Sequence, residues 1–148
     1  MSLTFDVYGR PAPQGSKRYV GGNRGQGGRF IEASKYLPAW RKDITTAALA
    51  IMQDEDWETV ADPVHLEVTF YIERPATIPR EKRPWPIKPP DLDKLVRGVC
   101  DGLTDAGVWE DDDQVVRVTA WKCYADTREP GAYIKITPIV TGEGLDFP

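Results

Sequence analysis

The sequence predicts an α+β (mixed α/β) fold, in which a mixed β-sheet of about four to five strands carries two main helices. Three observations support this prediction: several segments alternate apolar and polar residues, two segments repeat apolar residues at helical spacing, and the elements follow the order β-(β)-α-β-α-β-β. The 148 residues suit one domain, predicted at residues 1–140, with a flexible tail at residues 141–148.

The first element is a strand in "LTFDVYG", where Leu3, Phe5 and Val7 alternate with other residues. Residues 10–29 are predicted to form a mobile basic loop, because its many glycines lose much backbone entropy on ordering. A short extended segment from Arg29 to Glu32 should then lead into a helix.

That first helix is predicted to be capped near Ser34 and to tolerate Pro38 in its first turn. Its buried stripe consists of Leu37, Trp40, Ile44, Ala47, Ala48 and Ile51. The segment "VHLEVTFYI" is the clearest strand, and its alternation sends His65, the only histidine, to the outer face as a surface residue. Residues 74–90 contain too many prolines for a helix or a central strand and are predicted to form a second basic loop.

The second helix is predicted from Asp91, a natural N-cap, to Ala106, with Gly107 as the C-terminal stop. Its apolar residues Leu92, Leu95, Val96, Val99, Cys100 and Leu103 form one continuous face. The segments "QVVRVTAWKCY" and "GAYIKITPIV" are two further strands. The turn-rich "ADTREPG" between them predicts that they pair as a hairpin.

Composition excludes several classes of protein. An apolar content of 41% with five tryptophans predicts a globular chain, and neither a long apolar run nor a signal-peptide pattern is present, so no membrane association is expected. Cys100 and Cys123 lie in apolar periodic segments and are interpreted as free thiols, which fits a protein of a reducing cytoplasm. The Gly-rich loop lacks a phosphate-binding P-loop pattern, so no nucleotide cofactor is expected.

Charge is distributed unevenly along the chain. The net charge is only −4, yet residues 7–31 and residues 74–90 are strongly basic, whereas residues 91–113 are strongly acidic. The two basic segments and the acidic one that follows them predict a basic rim around an acidic centre, a surface that holds phosphates around a site of a different character.

The acidic centre has two interpretations. Asp91 and Asp93 can simply stabilise the start of a helix, and the run from Glu110 to Asp113 can be an exposed turn. Alternatively, the carboxylates meet and capture a cation, which requires either that the strand after the acidic run begins beside the N-terminus of the helix or that the helix is short or bent enough to close the gap. If that strand instead runs antiparallel along the helix, the two acidic groups lie apart, and the sequence leaves this choice open.

If the carboxylates do meet, their oxygens favour Mg²⁺, or Mn²⁺ in its place, because no histidine or cysteine ligand set is nearby. An EF-hand does not fit, since Leu95 and Val96 occupy positions that need a ligand and a glycine. Such a site would act on a phosphodiester. Arg97, on the same helix face as Asp93 and Asp101, either forms an ordinary surface ion pair or balances charge in the transition state.

The segment "DLDKLVRGVCDGLTDAGVWEDDDQVV" resembles, without a gap, the signature of the RusA-type Holliday-junction resolvases, which are bacterial and phage endodeoxyribonucleases. That signature reads roughly D-x-D-N-x-x-K-x-x-x-D-x-L, a short spacer and D-D-x-Q-V, and it covers about a sixth of the chain. The "GRPAPQGSKR" segment and the basic loop are also similar to the family. Two positions depart from it: Lys94 stands for the usual Asn, and Arg97 for the usual catalytic Lys.

The resemblance implies a RusA-like homodimer that cuts four-way DNA junctions with paired symmetric nicks and Mg²⁺. It implies metal ligands at Asp91, Asp93 and Asp112 with Asp111 beside them, and a catalytic set of Asp91, Asp93, Asp112 and Arg97. Asp101 matches a helix acid of structural role. The residues expected to contact DNA are Lys17, Arg18, Arg24, Arg29, Arg80, Lys82, Arg83, Lys88, Lys94 and Lys122. Trp85 is expected either to stack on bases at the crossover or to pack within the protein.

Three alternatives remain beside the junction resolvase. The chain could bind branched DNA without cleaving it, through a site that has degenerated at Lys94 and Arg97. It could use the same acids to cut flaps or single strands. A structural Ca²⁺ module with no affinity for DNA is the third alternative.

Overall fold

The computed structural model describes residues 1–15, 17–20, 29–32 and 34–140, with only the backbone given for 17–20 and 29–32. The elements are β1 (Leu3–Tyr8), β2 (Lys17–Val20), β3 (Arg29–Glu32), α1 (Leu37–Asp54), β4 (Val64–Ile72), α2 (Leu92–Ala106), a short 3-10 helix η1 (Asp112–Gln114), β5 (Val115–Tyr124) and β6 (Gly131–Pro138). Four strands form one mixed sheet and two form a separate hairpin, so the predicted α+β class with two main helices is confirmed. Among these elements no helix has the length and apolarity needed to span a bilayer.

The order of strands in the main sheet is β1-β6-β4-β5. β4 and β5 are parallel, because α2 carries the chain from the end of one strand back to the start of the next. β6 is antiparallel to both β1 and β4 and therefore lies in the interior of the sheet. β5 pairs only with β4 and forms an edge.

The predicted hairpin between the last two strands is wrong. The connection after β5 crosses the end of β4, where the Ala125 N–H donates to the Ile72 carbonyl at 2.7 Å. β6 then enters between β4 and β1, where Ala132, Ile134 and Ile136 are completely buried. Beside β5, at the edge of the sheet, β6 would leave these side chains partly exposed, so burial overrides the preference for a short antiparallel connection.

The first basic loop also differs from its prediction. Lys17–Val20 form β2 and pair antiparallel with β3, whose Arg29–Glu32 were expected to be extended. Residues 10–15 pack against α2, where the Gln14 N–H donates to the Lys94 carbonyl at 2.9 Å. Arg24 and the predicted tail at residues 141–148 lie outside the described residues.

Both helices pack on one face of the sheet. The alternate residues of β4 predicted to face inward, from Val64 to Phe70, are buried there, whereas His65 lies on the outer face and its Nε2 is 2.9 Å from the Thr119 hydroxyl. Pro38 lies in the first turn of α1, as predicted, and Gly107 ends α2 with a left-handed φ of 78°. Both cysteines are free thiols, as predicted.

Close packing of the two helices depends on Gly102. A Cβ added to this residue would lie 2.8 Å from Ile44 Cγ2 and 3.0 Å from Ile44 Cβ, atoms of a fully buried side chain. The absence of a side chain at this position therefore lets α2 approach α1 closely.

We predict that Gly102→Ala lowers the free energy of unfolding by about 1–3 kcal/mol, because overpacking outweighs the gain of about 1 kcal/mol that alanine brings to a helix. Chemical denaturation monitored by far-UV circular dichroism measures the change. Gly102→Ala combined with Ile44→Val should recover part of the loss by making room. If the Gly102→Ala variant were as stable as the wild type, the close approach of α1 and α2 would not depend on a glycine at this position.

Candidate metal and DNA site

The N-terminus of α2 carries the first acidic group. Asp91 occupies the N-cap position, as predicted, but its side chain makes no capping hydrogen bond. Its carboxylate is instead 3.4 Å from Lys94 Nζ, and the side chain is 56% exposed. Asp93 is also exposed on the first turn. A purely structural capping role therefore does not account for Asp91, whose oxygens remain accessible to a cation.

The second acidic group lies in the turn before β5, where Asp111 caps η1. Its side chain accepts from the Asp113 N–H at 3.2 Å, and Gln114 completes a capping box by accepting from the Asp111 N–H at 2.8 Å. Gln114 Nε2 also donates to the carbonyls of Val60 and Asp62. Gln114 thus fixes the acidic turn to the segment before β4. Gln114 is not among the predicted site residues, although the Asp-x-x-Gln spacing of a capping box is the sequence signal for this role.

Asp112 lies where negative charges converge. The pKa of its carboxyl is raised, first by loss of solvation and then by the hydrogen bond and charge of Asp111, with a further contribution from Asp101. Burial, followed by the charges of Asp112 and Asp101, raises the pKa of the Cys100 thiol to about 12. Asp101 acts on Asp112, and both act on Cys100, so Asp112 lies beside the middle of α2.

The two acidic groups lie apart within one chain. Lys122 Nζ donates to the carbonyls of Lys88 at 3.1 Å and Pro90 at 2.8 Å, so the far end of β5 lies at the start of α2. β5 therefore runs antiparallel along α2, which is the arrangement that separates Asp112 from Asp91. In agreement, the described part of the chain contains no group of three or more His, Cys, Asp or Glu side chains that could hold a metal ion.

Arg97 lies against the segment that follows β1. Its guanidinium is packed so closely on Gly15 that a Cβ at that residue would lie 2.9 Å from Arg97 Cζ. Gly98 allows a second close approach, because its own Cβ would meet the Ala12 carbonyl at 3.0 Å. Among the residues with described side chains, Arg97 has no ion pair within 4.0 Å, and Asp101 instead faces Arg41 at 4.0 Å. The interpretation of Arg97 as part of an ordinary surface ion pair is not supported.

The basic loop at residues 74–90 is anchored by Arg74, which the sequence did not single out. Its guanidinium forms two hydrogen bonds of 2.8 Å with Asp126, donates to the Arg83 carbonyl at 2.6 Å and lies 4.1 Å from the centre of the Tyr124 ring. The anchored loop leaves Arg80, Lys82 and Lys88 exposed. Trp85 is half exposed, with its ring centroid 6.2 Å from that of Trp121.

For the remaining residues predicted to contact DNA, the structure describes either the backbone alone or the side chain as well. Lys17 and Arg18 lie in β2 and Arg29 in β3, where only the backbone is described. Lys94 and Lys122 are already engaged by Asp91 and by the carbonyls of Lys88 and Pro90, so both also hold the start of α2 in position.

Comparison with known proteins gives one family match. The model of a family described as "Endodeoxyribonuclease RusA" matches residues 9–137, which include both acidic groups and both basic segments. No curated protein sequence matches the chain significantly.

The raised pKa of Asp112 yields a test of its environment. Because the folded state binds the proton more tightly than the unfolded state, charged Asp112 destabilises the fold above its raised pKa, and the effect vanishes below its ordinary pKa of 3.8. With EDTA present, we predict that Asp112→Asn raises the melting temperature by ~1–2 °C at pH 7, a small gain because water screens the group, and by nothing at pH 3.

Differential scanning calorimetry of both variants at the two pH values makes the comparison. Glu110→Gln, which removes one charge from the same exposed turn, is the matched control and should change the melting temperature less. A lower melting temperature for Asp112→Asn at pH 7 would contradict the electrostatic assignment.

Proposed function

The chain belongs to the RusA family of endodeoxyribonucleases, and from this premise we propose that it resolves four-way DNA junctions by paired, symmetric, Mg²⁺-dependent phosphodiester hydrolysis. The family is one of nucleases that act on branched DNA and generally depend on divalent metal ions. The observation that carries the proposal is the state of Asp91: it stands at a helix N-cap, yet its carboxylate is not used to cap the helix. Asp93, two residues further along the first turn, is also exposed.

The donor set fits a hard divalent cation. Asp91 and Asp93 offer carboxylate oxygens, and Asp112 has a raised pKa that a nearby cation would lower. When bound, Mg²⁺ would polarise the phosphodiester and activate water for attack. Asp111 is the weaker ligand candidate, because one of its oxygens already caps η1.

Arg97 supplies positive charge that no carboxylate within the described residues neutralises at short range. It shares the exposed face of α2 with Asp93, and its guanidinium can donate to the extra negative charge that develops on the phosphorus oxygens. Packing on Gly15 restricts the side chain, so less entropy is lost when it engages the phosphate.

We further propose that the metal site is completed by a homodimer. β5 is an edge strand of ten residues, and it exposes Val116 by 63% and Val118 by 47%. Such an edge favours pairing with another strand. Antiparallel pairing of two β5 strands about a two-fold axis near Arg117 would bring Asp112 of the partner subunit opposite Lys122. Lys122 contacts the Pro90 carbonyl, immediately before Asp91.

The basic segments suit contacts to the DNA backbone. The lysines and arginines of the two basic segments can neutralise phosphates without reading sequence. Two sites related by a dimer axis match the pseudo-symmetry of a four-way junction, so two nicks at equivalent positions follow from the geometry.

One contact favours a second candidate, a branched-DNA-binding protein that does not cleave. Lys94 stands where the family usually has an asparagine, and its ammonium group already neutralises Asp91 at 3.4 Å. In that case the ammonium group would substitute for the metal. Cleavage assays with divalent ions separate the two candidates.

We predict that the wild-type protein converts labelled four-way junctions into nicked duplexes with Mg²⁺ and leaves them intact with EDTA. Asp93→Asn should lower the cleavage rate at least ~100-fold, since it removes a metal ligand, and should change junction affinity less than ~3-fold. Single-turnover cleavage and fluorescence anisotropy measure the two quantities. Asp54→Asn, an exposed acid at the end of α1, is the matched control and should cleave normally. Loss of affinity with only proportionate slowing of cleavage would overturn the role of Asp93.

A mixing experiment tests the shared site. Asp93→Asn and Asp112→Asn proteins should each be inactive, but a heterodimer of the two contains one site in which both acids are intact. An equal mixture, refolded together, should therefore recover about a quarter of the wild-type nicks, because half of the dimers are mixed and each has one working site. If Asp93 and Asp112 of the same chain form the site, no activity returns.

A further inference from the structure

A cleft of about 1170 Å³ opens directly beside Asp91. The segment after β1, the turn before α1, the start of the loop at residues 74–90 and its end enclose the cleft, and Asp91 and Lys94 lie on its wall. Its volume exceeds the roughly 300–1,000 Å³ of most small-molecule sites, so a nucleotide fits within it. Its rigid apolar walls are prolines: Pro11, Pro13, Pro75, Pro89, Pro90 and Pro130.

A stacked pair of side chains lies on one wall of the cleft. The Arg10 guanidinium is 3.6 Å from the centroid of the Tyr36 ring, and Tyr36 is 38% exposed. Arginine planes and tyrosine rings are the surfaces on which unpaired bases stack in nucleic-acid-binding proteins. Tyr8, 61% exposed, adds a second aromatic ring to the lining.

The charges of the cleft suit a base better than a phosphate. Arg74 is neutralised by Asp126, and Lys94 faces Asp91. Among the described residues that line the cleft, this leaves Arg10 against Glu73 and Glu129, so these residues have no excess of positive charge to attract a phosphate. Ionised carboxylates only accept hydrogen bonds, and the exocyclic amino groups of adenine, cytosine and guanine can donate to them, whereas thymine has no amino group and offers only its single N3–H.

We propose that the cleft receives the unstacked base next to the scissile phosphate and that Glu73 and Glu129 make cleavage depend on the identity of that base. The proposal rests on the proposed nuclease function, since Asp91 relates the cleft to the reacting phosphate. The base stacks against the Arg10–Tyr36 pair, and the two carboxylates accept from its amino group. A base held here orients the strand at the metal-binding acids.

Four-way junctions with a fixed branch point test the pocket. The nucleotide on each side of the scissile phosphate is varied in turn through the four bases and an abasic residue. We expect wild-type single-turnover rates at thymine and at the abasic residue at least ~10-fold below those at the preferred amino-bearing base. Glu73→Gln combined with Glu129→Gln should shrink the discrimination against thymine at least ~5-fold, because an amide also donates.

The Tyr36→Leu protein should cleave the intact junction more slowly than the wild type does. Replacing the base by an abasic residue should slow this variant no further, because Tyr36 and the base contribute through the same contact. Tyr133→Leu is the matched control, because Tyr133 is exposed to the same extent on the outer face of β6, and it should retain the wild-type pattern. Equal wild-type rates at all four bases, or an abasic defect that persists undiminished in Tyr36→Leu, would overturn the proposal.

A binding measurement keeps this test separate from the proposed nuclease function. If the wild type cleaves none of the junctions, the nuclease proposal fails, and the pocket is judged from affinities alone. The dissociation constants of the intact and abasic junctions, measured by anisotropy with Ca²⁺, should then differ for the wild type and coincide for Tyr36→Leu. Equal constants for the wild type would count against the pocket.

Discussion

The parallel pairing of β4 with β5 is the constraint on which the arrangement of the whole site depends. Two consecutive parallel strands need a crossover, and here α2 provides it. The crossover sets Asp91 at one end of a helix and the acidic turn at the start of the strand that returns along it. The same geometry brings Lys122, at the far end of β5, against the carbonyl that precedes Asp91. The separation of the acids within one chain and their proposed approach across a dimer axis thus have one origin.

Contacts outside the acidic groups hold the site in shape. Gly98 and Gly15 let the segment after β1 lie directly on α2, and this contact confines Arg97. Arg74 ties the start and the middle of the proline-rich loop to Asp126, just after the edge strand β5. Lys122 of β5 holds the end of the same loop through the carbonyls of Lys88 and Pro90. Residues 10–15 and the loop at residues 74–90, which look like independent loops in the sequence, are therefore fixed beside the helix that bears the candidate ligands.

Much of the fold could be predicted from local sequence patterns, because an element that is buried on one face repeats its apolar residues with the period of a helix or a strand. The stripe from Leu92 to Leu103, the alternation in β4 and the stop at Gly107 all correspond to observed elements. Strand order could not be predicted in this way. The turn-rich link after β5 favours a hairpin locally, and only the need to bury β6 between two neighbours explains the observed crossing. The same holds for the candidate site. Its acids can be recognised in the sequence, whereas the packing of Arg97 on Gly15 and the anchoring by Arg74 depend on segments that are distant in sequence.

Cys100 shows what burial beside these carboxylates does to a thiol that has no part in the proposed chemistry. Loss of solvation, followed by the charges of Asp112 and Asp101, raises the pKa of this thiol to about 12, so it stays protonated at neutral pH. Peroxide and disulfide reagents attack the thiolate, so this sulfur should resist both kinds of modification. The packing that places Cys100 in the core thereby protects it from oxidation.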